Sequence, residues 1–101
     1  MKRTPLSDSQ ISEALETLPG WTYVGSKLRK VFRFGNYRQT VSFALRIAFE
    51  AEAINHHPTM VVDYNQIAVT TCTHDAGNSV TPMDVTLALA IEACLAGAQT
   101  A

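Results

Sequence analysis

The chain carries three histidines, all between positions 56 and 74: the adjacent pair His56 and His57, and then His74. Histidine has an ordinary pKa of about 6.5, so a cluster of them suits proton transfer or metal binding near neutral pH. Carboxylates surround the cluster. Glu52 stands four residues before His56, a same-face spacing on a helix that would hold an imidazole in one tautomer or make a plain surface pair. Asp75 follows His74 and suits a hydrogen bond to a ligand or to its own turn. Asp84 sits where a helix start favours an acidic residue. Cys72 lies two residues before His74, on the same face of a strand, which would allow a thiol nucleophile. The strand around it is apolar, however, and cysteine is commonly a core residue. A tandem histidine pair cannot readily place both rings on one ion, which weighs against a zinc or iron site. No phosphate-cradling glycine loop or G-x-S-x-G elbow occurs.

Hairpin geometry brings the histidines together. If Asn65-Gln66 is a two-residue turn, Tyr64 faces Ile67 and paired positions sum to 131, as His57 and His74 do. Pro58 interrupts the ladder before that pair. Even so, the start of one strand and the end of the next must be neighbours, which puts the histidines at one end of a sheet. Adjacent side chains diverge, so His56 and His57 form two walls of a pocket, or one lines it and the other orients its neighbour. Tyr64 is expected as a half-buried strand residue or as part of the pocket wall.

The elements that must position these groups follow from periodicity and capping. Met1 to Leu6 is expected to fray. Ser7 and Gln10 form a capping box, and Ile11, Ala14, Leu15 and Leu18 recur at helical spacing until Pro19-Gly20. Trp21 to Val24 and the run from Leu28 to Phe34 predict two strands joined at Gly25-Ser26. In the second, Leu28, Phe32 and Phe34 face one way and Arg29 and Arg33 the other. Asn36 and Gln39 start a long helix, Tyr37 to about Asn55. Its apolar stripe (Val41, Phe43, Ala44, Leu45, Ile47, Ala48, Ala51, Ile54) is wider than one surface face needs, so part of it covers a sheet and the rest suits a subunit contact. Met60 to Tyr64 and Ile67 to Thr73 predict two more strands. Thr81-Pro82-Met83-Asp84 starts a last helix, expected to run to about Ala96 and end at Gly97. The order α-β-β-α-β-β-α implies an α+β fold: a four-stranded antiparallel sheet with the helices packed on one face. Trp21 and Arg29 suit either the surface or a subunit contact.

Composition bounds the function. The 101 residues and 11.0 kDa suit one domain over 1–101. With 47% apolar and 17% charged residues the balance is that of a globular chain. A net charge of −1 argues against a broad grip on nucleic acid or anionic lipid. No apolar run is long enough to span a membrane, and the first thirty residues show no secretory pattern. Two cysteines, Cys72 and Cys94, with no metal-type spacing, read as reduced residues of a cytoplasmic protein.

The spacing of Glu52-Ala-Ile-Asn-His56-His57-Pro58, Tyr64, His74 and Asp84 resembles the signature of the pterin-4a-carbinolamine dehydratases. Val31-Phe-Arg-Phe34, the long helix to Glu52 and Trp21 resemble that family too, and the likeness covers roughly residues 7 to 96. The departure lies after His74. The loop from Asp75 to Met83 is one residue longer than the commonest form, with Asn78-Ser79-Val80 where glycine and leucine are usual.

The resemblance implies the α+β fold above. It also implies dehydration of 4a-hydroxytetrahydrobiopterin to quinonoid dihydropterin, recycling tetrahydrobiopterin for aromatic amino acid hydroxylases, with no metal or cofactor. It makes His56, His57 and His74 the catalytic set, with His56 and His74 as the acid–base pair and His57 against the pterin. Glu52 would orient, the Cys72–Thr73–Asp75 segment would offer groups to the ring, and Asn55, Pro58 and Asp84 would complete the substrate site. Family members are homodimers or homotetramers, and some serve as coactivators. A non-catalytic binding or assembly module, and a small metal-binding protein, are the readings from other classes.

Overall fold

The structure, a computed structural model, describes residues 3–100, with side chains described for 3–97. The elements are α1 (Asp8–Leu15), β1 (Thr22–Val24), β2 (Lys27–Arg33), α2 (Tyr37–Ala53), β3 (Thr59–Asp63), β4 (Gln66–Thr71), a short 3-10 turn (His74–Ala76) and α3 (Pro82–Thr100). The order of helices and strands is the one periodicity predicts, and the fold is α+β. The strands form one antiparallel sheet in the order β1-β2-β4-β3.

The helices cover one face. Leu28, Phe32, Ile67 and Val69 point into a core shared with Ile11 of α1, Phe43 and Ile47 of α2, and Leu87 and Ile91 of α3. Phe43 is its centre, with ring centroids 5.1 Å from those of both Phe32 and Phe34. Trp21 belongs to this core and not to the surface: it is buried, edge-on to Phe32, and its Nε1–H donates to Glu92. Arg29 is exposed on the opposite face.

Local chemistry sets the ends. The Ser7–Gln10 capping box is formed in both directions, and Asn36 Oδ1 accepts from Gln39 N–H. α1 stops at Leu15, earlier than Pro19-Gly20, where the N–H groups of Glu16 and Thr17 turn to carbonyls three residues back, Glu13 O and Ala14 O. Leu18 still reaches the core through a tighter turn, its N–H bonded to Leu15 O. The expected fraying does not apply to residues 3–6: Leu6 N–H donates to Val80 O at 2.9 Å. The rest of that expectation, Met1 and Lys2, lies outside the described residues. Gly97 does not end α3, which continues to Thr100. One glycine costs only about 1 kcal/mol in a helix, too little to stop it alone.

The β3–β4 turn is Tyr64-Asn65, not Asn65-Gln66. Paired positions sum to 129, with Asp63 facing Gln66 and Thr59 facing Thr70. Tyr64 takes a left-handed φ of 49° and is 64% exposed, neither half-buried in a strand nor near the histidines. The shift moves each pairing by two residues, so every side chain keeps its face. Adjacency of the β3 start and the β4 end therefore survives.

Candidate functional site

The site starts from the way α2 ends. Ile54 is the C-cap, and Asn55 follows in the left-handed conformation at φ 51°. Asn55 N–H bonds to Glu52 O (3.1 Å) and His56 N–H to Ala51 O (3.0 Å). These are the two bonds of a Schellman motif, with asparagine where glycine is commonest. The reversal turns His56 inward, 6% exposed, and leaves His57 on the surface.

Behind His56 lies a buried polar network. On β4, Ile67, Val69 and Thr71 alternate into the core, and Thr73 continues the alternation just beyond the strand. Their hydroxyls meet Asp84, in the first turn of α3 and wholly buried. Asp84 Oδ1 accepts from Thr71 Oγ1 (2.6 Å) and from His56 Nε2 (2.6 Å). Its Oδ2 accepts from Thr73 Oγ1 (2.9 Å) and from Thr81 N–H (2.9 Å). The last contact is the helix-start role expected of Asp84. The Thr81 hydroxyl lies 2.7 Å from that of Thr73 and accepts from Met83 N–H. Both carboxylate oxygens are thus satisfied, as a charge in the interior requires.

Each imidazole has one nitrogen bound to an oxygen that can only accept. His56 Nε2 donates to Asp84. His57 Nε2 donates to Glu52 Oε1 (2.8 Å), and His74 Nδ1 donates to Asn78 Oδ1 (2.8 Å). Those partners fix the tautomers. They leave Nδ1 of His56, Nδ1 of His57 and Nε2 of His74 to exchange protons. Glu52 therefore holds His57 rather than His56, because α2 has already ended and its same-face spacing no longer applies. The unusual loop after His74 gains a reason as well. Asn78 adopts the left-handed φ of 57° that a glycine would take, and also supplies the side chain that holds His74. A Thr73–Ser79 bridge closes that loop.

The three imidazoles line one cavity of about 200 Å3, together with Arg3, Asn55, Cys72, Thr73 and Asp75. Asn55, Cys72, Thr73 and Asp75, expected near a ligand, are in its wall. Glu52, Pro58 and Asp84 are not: Glu52 acts through His57 and Asp84 through His56. Arg3 and Thr71 were not singled out in the sequence, while Thr81 was read only as a helix start and Asn78 only as part of the unusual loop. Thr71 and Thr73 did carry a signal, since polar residues at core-facing parity on an apolar strand need a buried partner. Arg3 carried none. Among the described residues no group of three His, Cys, Asp or Glu side chains is arranged so that it could hold a metal ion.

Comparison with known proteins is consistent in family and fold. The family described as Pterin 4 alpha carbinolamine dehydratase matches residues 4–94. A protein of Opitutus terrae, named provisionally as a pterin-4-alpha-carbinolamine dehydratase, is 45% identical over 89 residues, 88% of this chain and 92% of its own length. A Streptomyces coelicolor protein with the same provisional name is 34% identical over 97 residues, 96% of each chain. A crystal structure from Brucella melitensis, described as a transcriptional coactivator/pterin dehydratase, superposes with a TM-score of 0.85 at 32% identity, covering 90% of this chain and 98% of that one.

Proposed function

The chain belongs to the pterin 4 alpha carbinolamine dehydratase family, and from that premise we propose that it dehydrates a 4a-hydroxytetrahydropterin to the quinonoid dihydropterin and water. The reaction breaks the bond from carbon 4a to its hydroxyl oxygen, adds a proton to that oxygen and removes one from a ring N–H. It needs one acid and one base near neutral pH, each worth roughly 10²–10⁴-fold. The observation that carries the reading is the meeting of three imidazoles in one cavity, each with one ring nitrogen anchored and the other available.

In this reading His56 and His74 exchange the two protons, and His57 contacts the pterin from the mouth. Asp84 and Glu52 are positioning residues: they hold His56 and His57 in one tautomer and never touch the substrate. Asn55, Cys72, Thr73 and Asp75 bind the ring. The product would be reduced again for use by an aromatic amino acid hydroxylase in the cytoplasm.

The test is a spectrophotometric dehydratase assay on the carbinolamine. Folded His56→Ala and His74→Ala variants are each expected to lose roughly 10²–10⁴-fold in kcat. Parent-like rates in both would remove the acid–base assignment.

A binding role has its own support. Leu45 and Phe49, one turn apart on α2, are 55% and 71% exposed, and the Brucella relative is described as a coactivator as well as a dehydratase. In this second reading the α2 face takes a protein partner, and self-association into a dimer or tetramer uses the same apolar surface.

A further inference from the structure

Thr71 belongs to the buried network behind His56 but not to the cavity wall. It is the last residue of β4 and pairs with Leu28 of β2, so the sheet ladder fixes its backbone. It continues the inward row of Ile67 and Val69 and is 2% exposed. A β-branched side chain is stiff about χ1. Here its hydroxyl lies 2.6 Å from Asp84 Oδ1 and 3.3 Å from His56 Nε2. Asp84 Oδ1 and His56 Nε2 are themselves 2.6 Å apart, so the three polar atoms form a closed triangle. That triangle joins three elements: β4, the first turn of α3, and the turn that follows α2.

We propose that Thr71 is a positioning residue for His56, acting through Asp84. The inference rests on the dehydratase reading. A hydroxyl has one proton to give and two lone pairs to receive with. The Asp84 carboxylate only accepts, so the Thr71 proton goes to Oδ1 and the Thr71 oxygen is left beside the His56 N–H. Asp84 alone does not aim that N–H. Its other oxygen, Oδ2, is tied to Thr73 and to the Thr81 backbone, and the carboxylate can still pivot about that anchored end. A second donor on Oδ1, arriving from the sheet, stops the pivot. The Oδ1–His56 bond then holds the ring at one angle, with Nδ1 left for the substrate. Proton transfer depends on that angle, because a misplacement of about 1 Å can slow a reaction by roughly two orders of magnitude. The rigidity comes from β4, an inner strand of the sheet, and not from the turn that carries His56. A site held by a strand is more exact than one held by a loop.

The test compares the parent, Thr71→Ala and Thr71→Ser by dehydratase kinetics and by proton NMR of the His56 Nε2–H. Thr71→Ala is expected to lower kcat roughly tenfold, the scale of one hydrogen bond to a charged group. KM should stay at the parental value, because Thr71 lines no part of the cavity. The Nε2–H resonance should shift, since Oδ1 loses its second donor. Thr71→Ser restores the hydroxyl and should recover both kcat and the resonance. A hydroxyl that only stabilises the core would lower Tm in Thr71→Ala and leave kcat and the resonance unmoved, which would overturn the proposal. So would a loss of kcat that Thr71→Ser does not recover, because side-chain shape would then be at work. Should Thr71→Ala not fold, the parent and Thr71→Ser decide. Both are expected to show a slowly exchanging hydroxyl proton at position 71 close to the His56 Nε2–H, and its absence overturns the proposal. A parent without turnover overturns the dehydratase reading and this inference with it. An active parent with an equally active Thr71→Ala overturns the inference alone.

Discussion

Asp84 shows how a single buried charge can organise a site it does not enter. Its two oxygens take four donors, from His56, Thr71, Thr73 and the Thr81 backbone. Asp84→Asn replaces one acceptor oxygen with an amino group facing donors. The variant is expected to lower kcat at least tenfold with KM little changed, and to cost roughly 3 kcal/mol or more of stability, since an uncompensated polar centre is left inside. Thermal denaturation and the pH–rate profile of the folded protein check both parts. A purely structural carboxylate would lower Tm but leave kcat and its pH profile as in the parent. At this scale the sequence marks the three histidines that line the cavity and misassigns one pair. The four-residue step from Glu52 to His56 promises a contact only while the helix continues, and it does not. Arg3 was illegible because its partner, Asp75, is seventy-two positions away and only the tied N-terminal segment brings them together.

At the scale of elements, the end of α2 is the device that separates His56 from His57. Asn55 supplies the left-handed residue of the Schellman motif. A β-branched residue there pays the left-handed steric penalty in full, so Asn55→Val is expected to destabilise the fold by about 1–3 kcal/mol and lower turnover by loosening His56. Asn55→Gly should keep nearly parental stability. Denaturant unfolding of both variants tests the contrast, and equal losses would show that the backbone conformation is not what matters. The capping and alternation that define the elements were readable because they are local. The β3–β4 turn was placed one residue late because Tyr64 accepts a conformation usually left to glycine or asparagine. Since the resulting shift preserves parity, the convergence of the histidines was predicted correctly from a slightly wrong register. Gly97 misled in the other direction, its preference for helix ends being weaker than continuation of α3.

For the whole molecule, the sheet and three helices bury one face of a small chain and leave apolar side chains outside it. Leu45 and Phe49 on α2 are exposed; Leu45 belongs to the surplus of the stripe seen in the sequence, and Phe49, outside that stripe, adds to it. The protein is expected to elute and scatter light as more than a monomer, and Leu45→Ser with Phe49→Ser to reduce its mass without reducing dehydratase activity per chain. An unchanged mass would assign that face to a different partner. The fold was readable to this scale because hairpins leave few topologies open. The assembly was not, because a monomer's sequence marks a sticky face without saying what covers it. The central claim, that these imidazoles jointly dehydrate a bound pterin, is tested most directly by following quinonoid dihydropterin formation from the 4a-carbinolamine with parent and with a folded His56→Ala/His74→Ala double variant. The account predicts strong acceleration by the parent and a double variant close to the buffer rate. A double variant as fast as the parent, or a parent no faster than buffer, would contradict it.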